Sequence, residues 1–151
     1  MRIAHRLKAL EHFLEKWRLA AAQRYADGGV VIQVDACYLV SLRPRSAADA
    51  GRSDWLIEAR LARLSRDATR RARQVADSAS FGLGLVAYAR AAITIDRHGT
   101  GLWLRQPIAA PHDCEQFESA FETFCDALEL WSSHQTHGTS LPQGIARPLW
   151  A

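Results

Sequence analysis

The chain is short of the features that usually announce an activity. No apolar run approaches the ~18 residues of a membrane-spanning helix. The opening stretch MRIAHRLKALEHFLEKW is charged throughout and has no apolar block of the secretory kind. A cytoplasmic address, without membrane insertion, is therefore expected. Cysteine is scarce and odd in number: Cys37, Cys114 and Cys125 form no spaced framework, as suits a reducing compartment. The glycines of FGLGL (81–85) lack both the dinucleotide fingerprint and the lysine and serine of a phosphate-binding loop, so nucleotide cradling is excluded there. Lysine contributes only two of the nineteen basic side chains, leaving arginine to carry the positive charge.

What is present fits one soluble domain. A length of 151 residues can bury a real core, and 48% hydrophobic with 23% charged residues is ordinary globular composition. The net charge of +3 matters less than its placement. Six arginines and one acid lie between Arg60 and Arg73, whereas six acids and no lysine or arginine lie between Asp113 and Glu129. A basic and an acidic element result, free to face each other or to face partners.

The apolar pattern alternates between helix and strand periods. Ile3, Leu7, Leu10, Leu14, Trp17 and Ala21, with Phe13 beside them, make one stripe on a helix of about six turns that DGG (27–29) would end. VVIQVD and YLVSL alternate as two strands of a hairpin, and a polar loop (43–53) leads to a third strand in DWLIEARLARL. Ser65 is placed to open a second helix whose apolar side is built of the small residues Ala68, Ala72, Val75, Ala76 and Ala79. FGLGL would loosen the chain after it. ARAAITID and GLWLRQPI form another hairpin, and Asp113 with Gln116 has capping-box spacing before a helix with Phe117, Ala120, Phe121, Phe124, Leu128 and Trp131 inward. The reading is α+β in the order α-β-β-β-α-β-β-α, with a twisted, mostly antiparallel sheet covered by helices. Residues 1–134 form the domain and residues 135–151 a flexible tail.

No catalytic residue emerges. His134 and His137 sit close together in the expected tail, with no third ligand nearby, so no metal and no cofactor are expected. The acids of the last helix are spread round a solvated face, unlike a catalytic carboxylate pair. Arg63, Arg66, Arg70 and Arg73, joined by Arg60 and Arg71, could track phosphates and make the chain a small nucleic-acid-binding regulator. Against this, their helix holds no aromatic to stack on bases. Strand alternation sends Leu102 and Leu104 inward and Trp103 outward with Arg105, and leaves Val31 outward too. A tryptophan on a sheet face is covered by a helix, a dimer mate or a bound partner.

The opening helix, VVIQVDACYLVSL, WLIEARLARL running into a helix, AAITIDRHGTGLWLRQPI and CEQFESAFETFCDALELW together resemble the class I type III secretion chaperones, the Tir-chaperone family, over residues 3 to 134. The resemblance implies a bacterial cytoplasmic homodimer without enzymatic activity, tied to virulence. Each dimer would hold an extended N-terminal segment of a secreted effector soluble and secretion-competent. Carried onto this chain, Leu10, Phe13, Trp17, Val31 and Trp103 would line effector grooves, and Ala72, Val75, Ala76, Ala79, Phe81 and Leu83 the dimer interface. The net basic charge departs from the mostly acidic pattern of the family. It marks Arg66 and Arg70 as contacts for an acidic guest or for secretion-machinery components. SASFGLGLVAYAR also departs from the segment expected after the second helix.

Overall fold

The computed structural model describes residues 2–45 and 54–137. In chain order they form α1 (Arg2–Lys16), β1 (Ala21–Arg24), β2 (Val30–Val34), β3 (Tyr38–Pro44), β4 (Trp55–Arg63), α2 (Ala68–Ala89), β5 (Ala92–Ile95), β6 (Gly101–Ile108) and α3 (Cys114–His137). The strands make one six-stranded sheet in the order β1-β2-β3-β4-β6-β5. Every neighbouring pair is antiparallel. The α+β expectation holds, with one strand more than the sequence pattern suggested.

That extra strand exists because α1 stops early. Arg18 adopts the left-handed conformation at φ 52. Its N–H bonds to the Glu15 carbonyl while the Leu19 N–H reaches the Leu14 carbonyl, so the last free carbonyls of the helix are satisfied. Glycine usually fills this position, and an arginine there sends no stop signal. The apolar steps through Trp17 and Ala21 therefore look helical when they are not. The glycines of DGG instead turn β1 into β2. Gly28 has φ 86, its N–H bonds to the Tyr25 carbonyl, and Asp27 accepts from the Gly29 N–H.

The second helix differs from expectation at both ends. Asp67, not Ser65, caps it, accepting from the Arg70 N–H at 2.8 Å. Ser65 in turn accepts from the Asp67 N–H. FGLGL does not loosen the chain, for α2 runs unbroken through it to Ala89 and stops at Arg90, again left-handed at φ 51. Gly82 is buried where the helix nears Ile93, close enough for an added Cβ to lie 3.6 Å from that side chain. Two glycines cost the helix ~1 kcal/mol each, which the burial of Phe81 and Leu85 on either side of them offsets. At α3, Asp113 accepts from the Gln116 N–H as expected, and Gln116 returns a bond to the His112 N–H, one residue before the cap. The helix continues to His137, three residues past the boundary expected at 134. Residues 138–151, and most of the loop expected at 43–53, lie outside the described residues.

The register sorts the sheet into two faces. Val30, Ile32, Val40, Leu42, Trp55, Ile57, Ala59, Leu102, Leu104 and Ile108 share the face that the helices cover. Onto it α1 brings Leu10, Phe13 and Leu14, and α3 brings Phe117, Phe121, Phe124, Leu128 and Trp131. Their rings pack edge-on: Phe13 to Phe121 at 5.3 Å, Trp55 to Phe117 at 5.3 Å, Phe81 to Trp131 at 5.4 Å. The opposite face carries Val31, Leu39, Ser41, Leu56, Glu58, Arg60, Trp103, Arg105 and Thr94.

Candidate interaction surfaces

Trp103 stands on the outer sheet face, paired across β4 with Arg60 and across β5 with Thr94. It is half-buried by its neighbours. Arg105 lies beside it, with the guanidinium 5.9 Å from the ring and an ion pair to Glu58 at 3.0 Å. The indole N–H turns toward Asp96 without making a hydrogen bond of good geometry. Asp96 belongs to the β5–β6 turn, where Thr100 donates to it through its backbone N–H and its hydroxyl, each at 2.8 Å. The backbone bond chiefly, with the hydroxyl and the indole adding, holds its carboxyl down at about 2. Leu39, 55% exposed, lies on the same face. Val31 faces the same way but is 8% exposed, so it offers little surface.

The α1 positions divide. Leu10 and Phe13 are fully buried in the monomer core and cannot line a groove, since both sit on the stripe that α1 presents to α3. Trp17, 39% exposed at the helix end, remains accessible. Its indole N–H and the Lys16 ammonium both reach the same Glu118 oxygen, at 2.7 Å each. Lys16 first, then Trp17, hold the Glu118 carboxyl below its ordinary range. One acid of α3 thus fastens the end of α1.

The helix α2 presents a further apolar surface. Ala72, Ala76 and Ala79 are exposed, and Val75 partly so. With Ala68 and Arg71 they line a groove of about 550 Å³. Leu83 is 77% exposed, Val86 55% and Tyr88 57%. Positions 72, 76, 79, 83 and 86 step by four and three, an unbroken seam along one side of the helix. Phe81 does not belong to it. It is buried against Trp131 and His134, on the side of α2 that faces the core. Val86 and Tyr88 lie past FGLGL, where the glycines predict a break that the helix does not make. The four-three stepping past Leu83 would have found Val86.

Arg66, Arg70 and Arg73 are exposed, and among the described residues none makes a side-chain ion pair. Of the three free cysteines, Cys37 is exposed and the other two are partly buried. Burial pushes the Cys125 thiol up to about 11 and also raises Cys114, so both are held protonated. His134 is not in a loose tail but part-buried in α3, stacked on Phe81 at 5.0 Å. Among the described residues no group of three or more His, Cys, Asp or Glu could hold a metal ion, and no helix is long and apolar enough to cross a membrane.

No family model and no curated protein matches the chain. Solved structures do. A chain of the ExsC–ExsE complex superposes with a TM-score of 0.62 at 21% identity, over 87% of this chain and 93% of that one. A chain of the HopA1–SchA chaperone–effector complex gives 0.60 at 13% identity, over 83% and 91%. The Yersinia pestis type III secretion chaperone SycH, in complex with a stable fragment of YscM2, gives 0.53 at 16% identity, over 81% and 95%. Nearly the full length of each is matched, and the likeness is one of fold: this chain has the architecture seen in type III secretion chaperone complexes.

Proposed function

We propose that the chain is an effector-binding chaperone of a bacterial type III secretion system, of the class I (Tir-chaperone) kind. It would act in the cytoplasm as a homodimer without enzymatic activity. The observation that carries this reading is the match over more than four-fifths of the chain to structures of chaperones in complexes. Two apolar surfaces left open by the monomer support it. The outer sheet face, with Trp103, Leu39 and Leu56, and the exposed end of α1 at Trp17 suit an extended guest. Such a guest inserts alternate side chains while its backbone pairs with a sheet edge.

The seam on α2 suits a second copy. Its N-terminal half is small (Ala72, Ala76) and its C-terminal half large (Leu83, Val86). Two copies laid antiparallel about Ala79 place Ala72 opposite Val86 and Ala76 near Leu83, with Ala79 meeting its own copy at the centre. Ala72, Val75, Ala76, Ala79 and Leu83 are the interface positions in this arrangement, joined by Val86.

The test is an affinity pull-down of the tagged protein from its own cytosol, with and without nuclease, at moderate salt. One stoichiometric protein partner, indifferent to nuclease and protected from proteolysis over a short N-terminal segment, is the expected result. Nucleic acid in the eluate, or partners that vanish with nuclease, would replace this reading with a nucleic-acid regulator working through the exposed arginines.

A further inference from the structure

The strand β6 runs on past its neighbour β5. Their pairing begins with Ala92 opposite Arg105, so Gln106, Pro107 and Ile108 pair with β4 on one side and have no strand on the other. Alternate residues of an antiparallel strand turn their backbone groups to alternate sides. The Gly101 carbonyl faces β5, where it accepts from the Asp96 N–H at 3.1 Å. By two-residue steps Trp103, Arg105 and Pro107 face the same way. Pro107 therefore puts its missing N–H on the unpaired side, where a proline costs the ladder nothing, and presents a carbonyl there.

This open length of edge is one wall of a cleft of about 690 Å³, closed by the end of α2 at Tyr88 and by the first turns of α3 at Glu115 and Ser119. A second acceptor lines it. Gln106 is 7% exposed, its amide nitrogen reaches the Ala120 carbonyl at 3.4 Å, and its amide oxygen has no partner. A buried acceptor without a donor is an exception among native polar groups. Charge gives no preference: Asp113 is engaged as the α3 cap, which leaves one acid, Glu115, to one base, Arg90, in the lining. Two acceptors, an unpaired strand edge and balanced charge fit an uncharged run of extended backbone, whose N–H groups are the missing donors. The volume falls within the ~300–1,000 Å³ of ligand pockets, room for a few residues. By helical stepping Tyr88 and Ala89 lie off the seam 72-76-79-83-86, so a second copy on that seam leaves the cleft open.

We propose that this cleft is a strand-addition site for the guest. A short extended stretch of the guest lies beside Gln106–Ile108, in line with β5, and donates to the Pro107 carbonyl and the Gln106 amide oxygen. The inference rests on the chaperone reading and names the sheet edge that reading uses. It gives the guest a second hold, toward the opposite end of β6 from Trp103.

The test is photo-crosslinking of the full chain in its own cells, with p-benzoylphenylalanine in place of Ser119, in the cleft, or of Glu129, exposed on α3 outside it. The expected product from position 119, stronger than any from position 129, joins the chain to a stretch near the N-terminus of one partner protein. Gln106→Leu removes the unpaired oxygen at similar volume, and should lower that yield about fivefold while the melting temperature stays level or rises. An unchanged yield in Gln106→Leu, or a product at 119 no stronger than at 129, overturns the site. A melting temperature below wild type makes Gln106 a group of the fold and overturns its part in the site. A product with residues 138–151 of this chain, or with a second copy, also overturns the proposal and assigns the cleft to that segment. A chain that captures no protein partner in the pull-down removes the chaperone reading itself, a failure separate from these.

Discussion

The two long helices are nearly equal in length, 24 residues in α3 and 22 in α2, and they solve opposite problems. α3 drives Phe117, Phe121, Phe124, Leu128 and Trp131 into the core and, Glu118 aside, keeps its acids off that face. α2 buries only Ser78, Phe81, Gly82, Leu85 and Ala89, and turns Leu83, Val86 and Tyr88 outward. A helix completed by its own chain spends large side chains inward. One awaiting a second surface keeps small residues and free apolar area on the far side. The contrast teaches where to look for partners: α3 is scaffold, and α2 keeps open the apolar side that the proposed dimer would cover.

The largest effect should come from breaking α3. Phe124 is fully buried, and Phe124→Ala should cost ~3–5 kcal/mol, read as loss of a cooperative thermal transition. Leu83→Asp on α2 should leave the far-ultraviolet dichroism nearly intact while raising the dimer Kd more than about 100-fold, or ~3 kcal/mol. An equal loss of melting temperature in both variants would erase the distinction between the helices. The outer sheet face is the intermediate case. Trp103→Ala should lower guest affinity about tenfold with a small change in stability. A large fall in melting temperature with guest binding intact would assign Trp103 to the fold alone.

The smallest effect concerns the turn beside Trp103. The Asp96 carboxyl lies at about 2, below its ordinary 3.8. The ionised form is therefore favoured by folding, and its contribution is fully present above about pH 4 and lost as pH falls through 2. A carboxyl titration followed by NMR should place the Asp96 midpoint near 2 and show the Thr100 amide losing its exchange protection over that interval. A midpoint near 4 would mean that the turn is open in solution.

Much of this was legible in the sequence. The aromatic stepping of α3, the alternation of β2, β3, β4 and β6 and the outward placement of Trp103 follow from period alone, because each side chain's direction is set by the backbone. The start of α3 was legible in Asp113 and Gln116, but the C-terminal ends of α1 and α2 were not. Arg18 and Arg90 take left-handed conformations that arginine rarely adopts, so α1 looked too long and β1 was hidden inside it. The opposite error arises at FGLGL, where two glycines predict a break and the helix runs on. Burial was the second gap. Leu10, Phe13 and Phe81 carry the same apolar signature as Leu83, and only the placement of α3 decides which are covered.

The most direct test of the central claim, that this fold holds a guest as a pair of identical chains, is native mass spectrometry of the complex captured from the protein's own cells. The account predicts one guest chain on two copies of this chain, and two copies alone once the guest is removed. A guest-free monomer, or a particle whose added mass is nucleic acid, would contradict it.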